Sequence, residues 1–283
     1  MARADRIESG WIARILTLGA TLVALVGIGF AGSASADVDF YFMPQIGISG
    51  LDAKTTGEVA VGAVGAYSGN DSDASPLIGG SVGLEMPMNE IVPREWLEDI
   101  RLPNWPVRFE VEATGLRDYD FRTNGAGAGA EIYSTEIKAT TAFANSWMDI
   151  PLVTVWSPFQ YMFGLGRQPR VRQWLEPGAL YFGGGIGMTA LEIDGTDNVL
   201  KGKDDIIDFA WNVGVGINYA ITDRVTFSTG YRYIGLGPNT GDHDVDLTGG
   251  GATPGDNIKY DLQVHEFRVG IQIKIFSFRG AWR

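Results

Sequence analysis

Along residues 267–275 the chain alternates without a break: Phe267, Val269, Ile271, Ile273 and Ile275 are apolar, and Arg268, Gly270, Gln272 and Lys274 fill the positions between them. A period of two sends these sets to opposite faces of a strand. Seven further tracts carry a similar pattern, at 38–48, 77–86, 107–116, 135–150, 180–191, 209–221 and 225–236, and the last one spans about 262–276. In 107–116, Val107, Phe109 and Val111 oppose Arg108, Glu110 and Glu112. In 209–221, Phe209, Trp211, Val213, Val215, Ile217 and Tyr219 oppose Ala210, Asn212, Gly214, Gly216 and Asn218. The tract 135–150 changes parity around Ala142, which a bulge would explain, so no facing is assigned to it.

A water-soluble sheet hides its apolar face in a core, whereas a closed barrel in lipid turns that face outward and keeps the polar one inside. The N-terminus points to the second arrangement. Arg3, Arg6 and Arg14 precede an apolar stretch at 15–30, and Ala34-Ser35-Ala36 follows as a small-x-small cleavage site. That is the layout of a secretory signal peptide. A transmembrane anchor is the other reading of this stretch. Against it, no basic stop-transfer cluster follows, and Asp37-Val38-Asp39 already begins an alternating run. The expected organisation is a cleaved signal, 1–36, and one barrel domain, 37–283.

The expected fold is all-β: a transmembrane antiparallel up-and-down β-barrel of eight strands with long periplasmic inserts. A ten-strand barrel that draws on the inserts is the alternative. An even count puts both ends in the periplasm. Outer loops then fall at about 49–76, 119–134, 195–206 and 237–259, all rich in Gly, Asp, Asn, Ser and Thr. Inside fall the short turn Thr222-Asp223-Arg224 and two long inserts. One, 87–106, carries a helix-like run from Pro93 to Ile100. The other, 151–177, has Trp156, Phe159, Tyr161, Met162 and Phe163 followed by Arg167, Arg170 and Arg172. Rings before cations suit a segment at the headgroup level, and packing under the barrel mouth is the competing expectation.

From Phe209-Ala210-Trp211-Asn212-Val213-Gly214-Val215-Gly216, through Tyr219-Ala220-Ile221-Thr222, to Gly230-Tyr231-Arg232-Tyr233, the chain resembles the small outer-membrane β-barrel family. That family includes the opacity-type porins and the transmembrane domain of the outer-membrane protein A group. Tyr181-Phe182-Gly183-Gly184-Gly185-Ile186-Gly187 is similar to its fifth strand, and His265-Glu266-Phe267-Arg268-Val269-Gly270 to its last. The resemblance is good over about 178–276, weaker before that, and absent in both inserts. It implies an eight-stranded barrel and leaves the role open, since function does not follow from fold. Arg268, Gly270, Ile273 and Ile275 also resemble the terminal signal read by the outer-membrane assembly machinery. The chain departs from that pattern by running on through residues 277–283.

Composition narrows the partners. Loss of 1–36 removes three of the 22 Lys+Arg and two of the 34 Asp+Glu, leaving 19 basic and 32 acidic side chains, a net charge of −13. Nucleic acid needs a basic surface and is excluded. Zero cysteines exclude disulfides, a thiol nucleophile, a Cys-based metal site and a lipidated N-terminal Cys. The expected partners are outer-membrane lipids, lipopolysaccharide and the assembly machinery; no extracellular ligand can be named.

The inward set holds Arg108, Glu110, Glu112, Arg232, Glu266, Arg268 and Lys274. An eight-stranded barrel is just wide enough for side chains to fill it, so these charges should meet as a structural network that plugs the lumen. A gated or selective pore is the alternative. Gly183, Gly185, Gly214 and Gly216 on neighbouring strands would leave room for the long Arg and Glu side chains. Enzymatic barrels generally need a His with an acid or hydroxyl partner, and there are two histidines. His265 and its neighbour Glu266 face opposite ways. His243, within Asp242-His243-Asp244-Val245-Asp246, would need a second acidic pair such as Asp71 and Asp73. The same aspartates could bind Ca²⁺, although Leu247 and Thr253 break the EF-hand pattern. No catalytic, cofactor or metal site is assigned. The leading expectation is a non-enzymatic structural or surface-interaction protein of the outer membrane. A small-solute porin and, behind it, a barrel hydrolase are the alternatives.

Overall fold

The computed structural model describes residues 37–58, 67–125, 132–162, 169–196, 200–236, 242–249 and 257–278. The signal segment 1–36 lies outside them. Nine antiparallel strands run along the described chain: β1 (Val38–Glu58), β2 (Tyr67–Pro87), β3 (Pro106–Gly125), β4 (Ile132–Pro151), β5 (Gly178–Thr196), β6 (Leu200–Ala220), β7 (Val225–Leu236), β8 (Asp242–Gly249) and β9 (Asn257–Phe278). Each pairs with the next up to β7, and β1 closes the ring on β9. β7 and β8 share one place in it. β7 lies between β6 and the lower part of β9, and β8 bridges Leu200–Gly202 of β6 and Asn257–Asp261 of β9 above it. The wall is therefore eight strands wide, and the ten-strand alternative falls because the inserts fold as helices. These are α1 (Arg94–Asp99), α2 (Leu152–Met162) and α3 (Pro169–Leu175). Among the described residues no helix is long and apolar enough to cross a membrane.

The strands are far longer than a bilayer requires. β1 and β6 have 21 residues each, about twice the 9–11 of a tilted crossing. Much of what the sequence suggests as solvated outer loops is strand, continuing the wall above the membrane. Away from the bulges, side-chain facing holds along each strand while polarity reverses. On β1 the outward residues change from Phe42, Ile46 and Ile48 to Asp52 and Lys54, while the inward ones change from Gln45 and Ser49 to Leu51 and Ala53. Facing lipid, the outer surface must be apolar; facing water, it must be polar, and the interior then supplies the hydrophobic core.

This reversal accounts for the parity change near Ala142. β4 pairs with β5 without interruption from Ser134 to Pro151, so the expected bulge is absent there. Tyr133, Thr135, Ile137, Phe143, Asn145, Trp147 and Asp149 all face inward, mostly apolar at the top and with Asn145 and Asp149 among aromatic rings below. The bulge lies on β3. Thr114 pairs with Thr141 and Arg117 with Ala139, so Gly115 and Leu116 stand opposite Thr140 alone. Leu116 takes a positive φ of 60°. The extra residue shifts parity and brings Arg117, Tyr119, Phe121 and Thr123 inside. It also breaks the β2–β3 ladder between Ser68 and Ile78. Side chains lace that seam: the Asp118, Asp120 and Arg122 amides donate to Ser75 Oγ, Asp73 Oδ2 and Asp71 Oδ2 at 2.9, 2.9 and 3.0 Å.

Candidate functional site: the barrel lumen

Alternation on β3 delivers Arg108, Glu110 and Glu112 to successive levels of the lumen; β9 adds Glu266 and Arg268, β7 adds Arg232, and β4 adds Asp149. Two linked groups result. In the lower one, Arg108 reaches Asp149 Oδ2 at 2.6 Å and Glu110 at 2.8 Å. The Tyr41 hydroxyl donates to Glu110 at 2.6 Å, and the Asn218 amide to Asp149 at 2.8 Å. In the upper one, Arg232 bridges Glu112 at 2.7 Å and Glu266 at 2.6 Å, Arg268 holds Glu112 at 2.7 Å, and Arg117 pairs with Glu266. Four arginines face four carboxylates, so the layer is neutral. All eight side chains are buried. Every charge has an opposite charge in contact, the condition under which buried ions are tolerated.

Lys274 stands apart from this layer. It contacts Asp39 at 2.9 Å and Glu85 at 3.8 Å at the periplasmic mouth, partly in solvent. Of the small inward residues, Gly216 and Gly230 make room for a ring rather than for an arginine, and Gly183 and Gly185 lie against backbone and Asn145. A Cβ on Gly216 or Gly230 would collide with the Tyr181 ring, and one on Gly214 would press Trp147 at 3.3 Å. Tyr181 in turn lies under the Arg108 guanidinium, 5.1 Å from its ring centre.

Above the charges the interior is mainly apolar, with Thr55, Thr123 and Thr135 hydrogen-bonded among the buried side chains. Leu51, Phe121, Ile137, Ile193, Ile258 and Leu262 belong to one buried cluster that crosses the extended barrel. Tyr119 joins the two layers, its hydroxyl donating to Ser49 at 2.6 Å, while Ser49 donates to Glu266 at 3.3 Å. Outside, Phe42, Ile46, Ile78, Phe182, Ile186, Val213, Ile217 and Phe267 leave large apolar surface uncovered. From Phe209 to Ile217 this surface covers roughly 20 Å of the bilayer normal, taking about 3.4 Å per residue and a tilt near 40°. That matches the lipid-facing band of an outer-membrane barrel, about 25 Å tall.

The chain belongs to the outer membrane protein beta-barrel domain family. The family model matches residues 19–274. No curated protein matches. Among solved structures the barrel is similar to Neisserial surface protein A, at 16% identity over 83% of this chain and 97% of that one, with a TM-score of 0.37. Ail, the attachment invasion locus protein of Yersinia pestis, solved with the heparin analogue sucrose octasulfate, shows 12% identity over 84% and 99%, with a TM-score of 0.33. The outer membrane protease OmpT of Escherichia coli shows 10% over 83% and 97%, with a TM-score of 0.36. Likenesses this distant carry no argument about role. The family places the protein in the outer membrane, among its lipids.

Of the residues weighed for other chemistry, this barrel does not bring His243 to Asp71 and Asp73. His243 pairs with Tyr260 on β9, and β9 and β1 separate it from β2. Three strand spacings of about 4.8 Å intervene. Asp71 and Asp73 already accept backbone amides across the β2–β3 seam. Asp242, Asp244 and Asp246 lie on extended backbone, about 7 Å apart at alternate positions, rather than curling around an ion. Among the described residues no cluster of His, Asp and Glu is grouped to hold a metal. His265 faces outward, with the Tyr231 hydroxyl 2.5 Å from Nδ1 and Asp52 3.7 Å from Nε2, beside Tyr233 in an aromatic band at the outer edge of the belt. Glu266, its sequence neighbour, lies in the lumen.

Two lumen residues escape the sequence reading. Arg117 lies past the expected end of its strand and on the wrong parity until the bulge is counted. Asp149 lies in the tract left without a facing; reading 135–150 as one parity with a change of solvent would have placed it inside.

Proposed function

We propose that this protein is a closed, non-enzymatic outer-membrane barrel whose working surface is the extracellular extension of its wall. The observation that carries this reading is the double seal of the lumen: a neutral layer of four arginines and four carboxylates, and an apolar layer above it. A porin would need a continuous polar path, which the apolar layer interrupts. Catalysis is disfavoured because Asp71 and Asp73 are spent on backbone amides and His243 is remote from them. The test is solute flux through liposomes carrying the purified protein. Wild type should release neither salt nor small sugars above the rate of empty vesicles; rapid release of either would establish the porin instead.

Export and assembly belong to the same reading. Cleavage after Ala36 leaves β1 to begin at Val38, and N-terminal sequencing should find Asp37 first; an intact Met1 would refute it. At the other end, a register shift leaves Ile275 unpaired with β1 and brings Phe276 opposite Phe40, their rings stacked at 4.5 Å. The strand then ends at Phe278, outward-facing and aromatic. This supports recognition of the last strand by the assembly machinery, despite the residues that follow.

A further inference from the structure

The insert 87–106 folds beside the barrel. Met88 and Leu97 are buried with Val107, packed against Phe109 and Met148. Val107, Phe109 and Met148 face outward, opposite in parity to Arg108 and to Asp149 in the lumen. The insert therefore covers the lowest rows of the lipid-facing wall at its periplasmic end.

Helix α1 is amphipathic, and the barrel covers only part of its apolar side. At 100° per residue, Trp96, Ile100 and Leu97 fall within one arc of about 100°, while Arg94, Glu95, Glu98 and Asp99 share the opposite arc. Leu97, at one edge, is only 4% exposed against the wall, whereas Trp96 and Ile100 are each 66% exposed. The polar arc is stapled by an Arg94–Glu98 pair at 3.0 Å. The uncovered part of the apolar arc continues the barrel's own lipid-facing surface.

We propose that α1 is an interfacial anchor, with Trp96 and Ile100 inserted into the periplasmic leaflet of the outer membrane and the Arg94, Glu95, Glu98 and Asp99 face in water. The occupant of this surface is phospholipid, because α1 is seated on the outward face of the same strands whose rows above it face lipid. Trp is the side chain that favours that depth, apolar in body with one polar N–H. The anchor would fix the vertical position of the barrel at a rim that the strands alone leave undefined.

The absence of cysteine makes the test clean. Single variants Glu95→Cys, Trp96→Cys, Asp99→Cys and Ile100→Cys are spin-labelled and reconstituted in phospholipid nanodiscs. Collision with oxygen, which concentrates in lipid, is compared with collision with a water-soluble nickel chelate. Positions 96 and 100 should favour oxygen by several-fold over 95 and 99. Oxygen preference at none of the four, or equal preference at all four, would overturn the anchor. Heat-modifiable gel migration of each variant confirms that the barrel is folded when it is read.

Discussion

Arg232 touches Glu112 and Glu266 at once, and neither carboxylate has water to turn to if it leaves. Glu112 would keep Arg268 and Glu266 would keep Arg117, but the buried layer would hold one uncompensated negative charge, at a cost of about 3–5 kcal/mol. Arg232→Ala should lower barrel stability by that amount, and Arg268→Ala, which removes one of the two arginines on Glu112, by a similar one. Lys274→Ala, at the wetter periplasmic mouth, should cost about 1 kcal/mol or less. Urea midpoints in detergent, read by tryptophan fluorescence, check the order; equal losses at Arg232 and Lys274 would contradict it. At this scale the sequence is informative wherever period-two alternation is unbroken. Arg108, Glu110, Glu112, Glu266 and Arg268 can be placed inward by counting. Arg117 cannot, because one inserted residue changes its parity, and the pattern carries no mark of that insertion.

Among the elements, β3 shows how one irregularity serves two solvents. Its bulge at Gly115 and Leu116 lies where the wall begins to leave the belt, turns Arg117 into the charge layer, and aligns Tyr119 and Phe121 with the apolar one. The cost is a leucine in the left-handed region, 70% exposed and φ 60°. Glycine meets no such steric penalty, so Leu116→Gly should raise stability by up to about 1 kcal/mol. A β-branched Leu116→Val should lower it. The same urea titration measures both, and a destabilised Gly variant would mean that the Leu116 side chain has a packing role. The eight tracts of alternation were legible as strands, but their lengths were not. Above the belt, Asp52 and Lys54 outside with Leu51 and Ala53 inside make a weak, short pattern, and turn-forming residues nearby dominate the impression of a loop. The helix at 94–99 was visible in its run of charged and apolar residues; that it lies against the outer wall was not, since nothing local fixes which side of a barrel an insert takes.

For the whole molecule, one closed sheet passes from lipid into water and exchanges its polar and apolar faces on the way. Below the exchange it is a membrane barrel with an ionic interior, and above it a water-soluble barrel with a hydrophobic core. The upper part makes the closed lumen and the rigid outer surface parts of one structure. If the outer segments were loops instead, the lumen would lose its apolar seal and the surface its framework. Amide hydrogen exchange on the protein in nanodiscs distinguishes these cases directly. Residues 133–139, 191–193 and 258–264 should be protected to the same order as 211–217 in the belt, because their amides belong to the same continuous ladders. Exchange of these upper segments within seconds, beside a protected belt, would contradict a barrel that continues above the membrane.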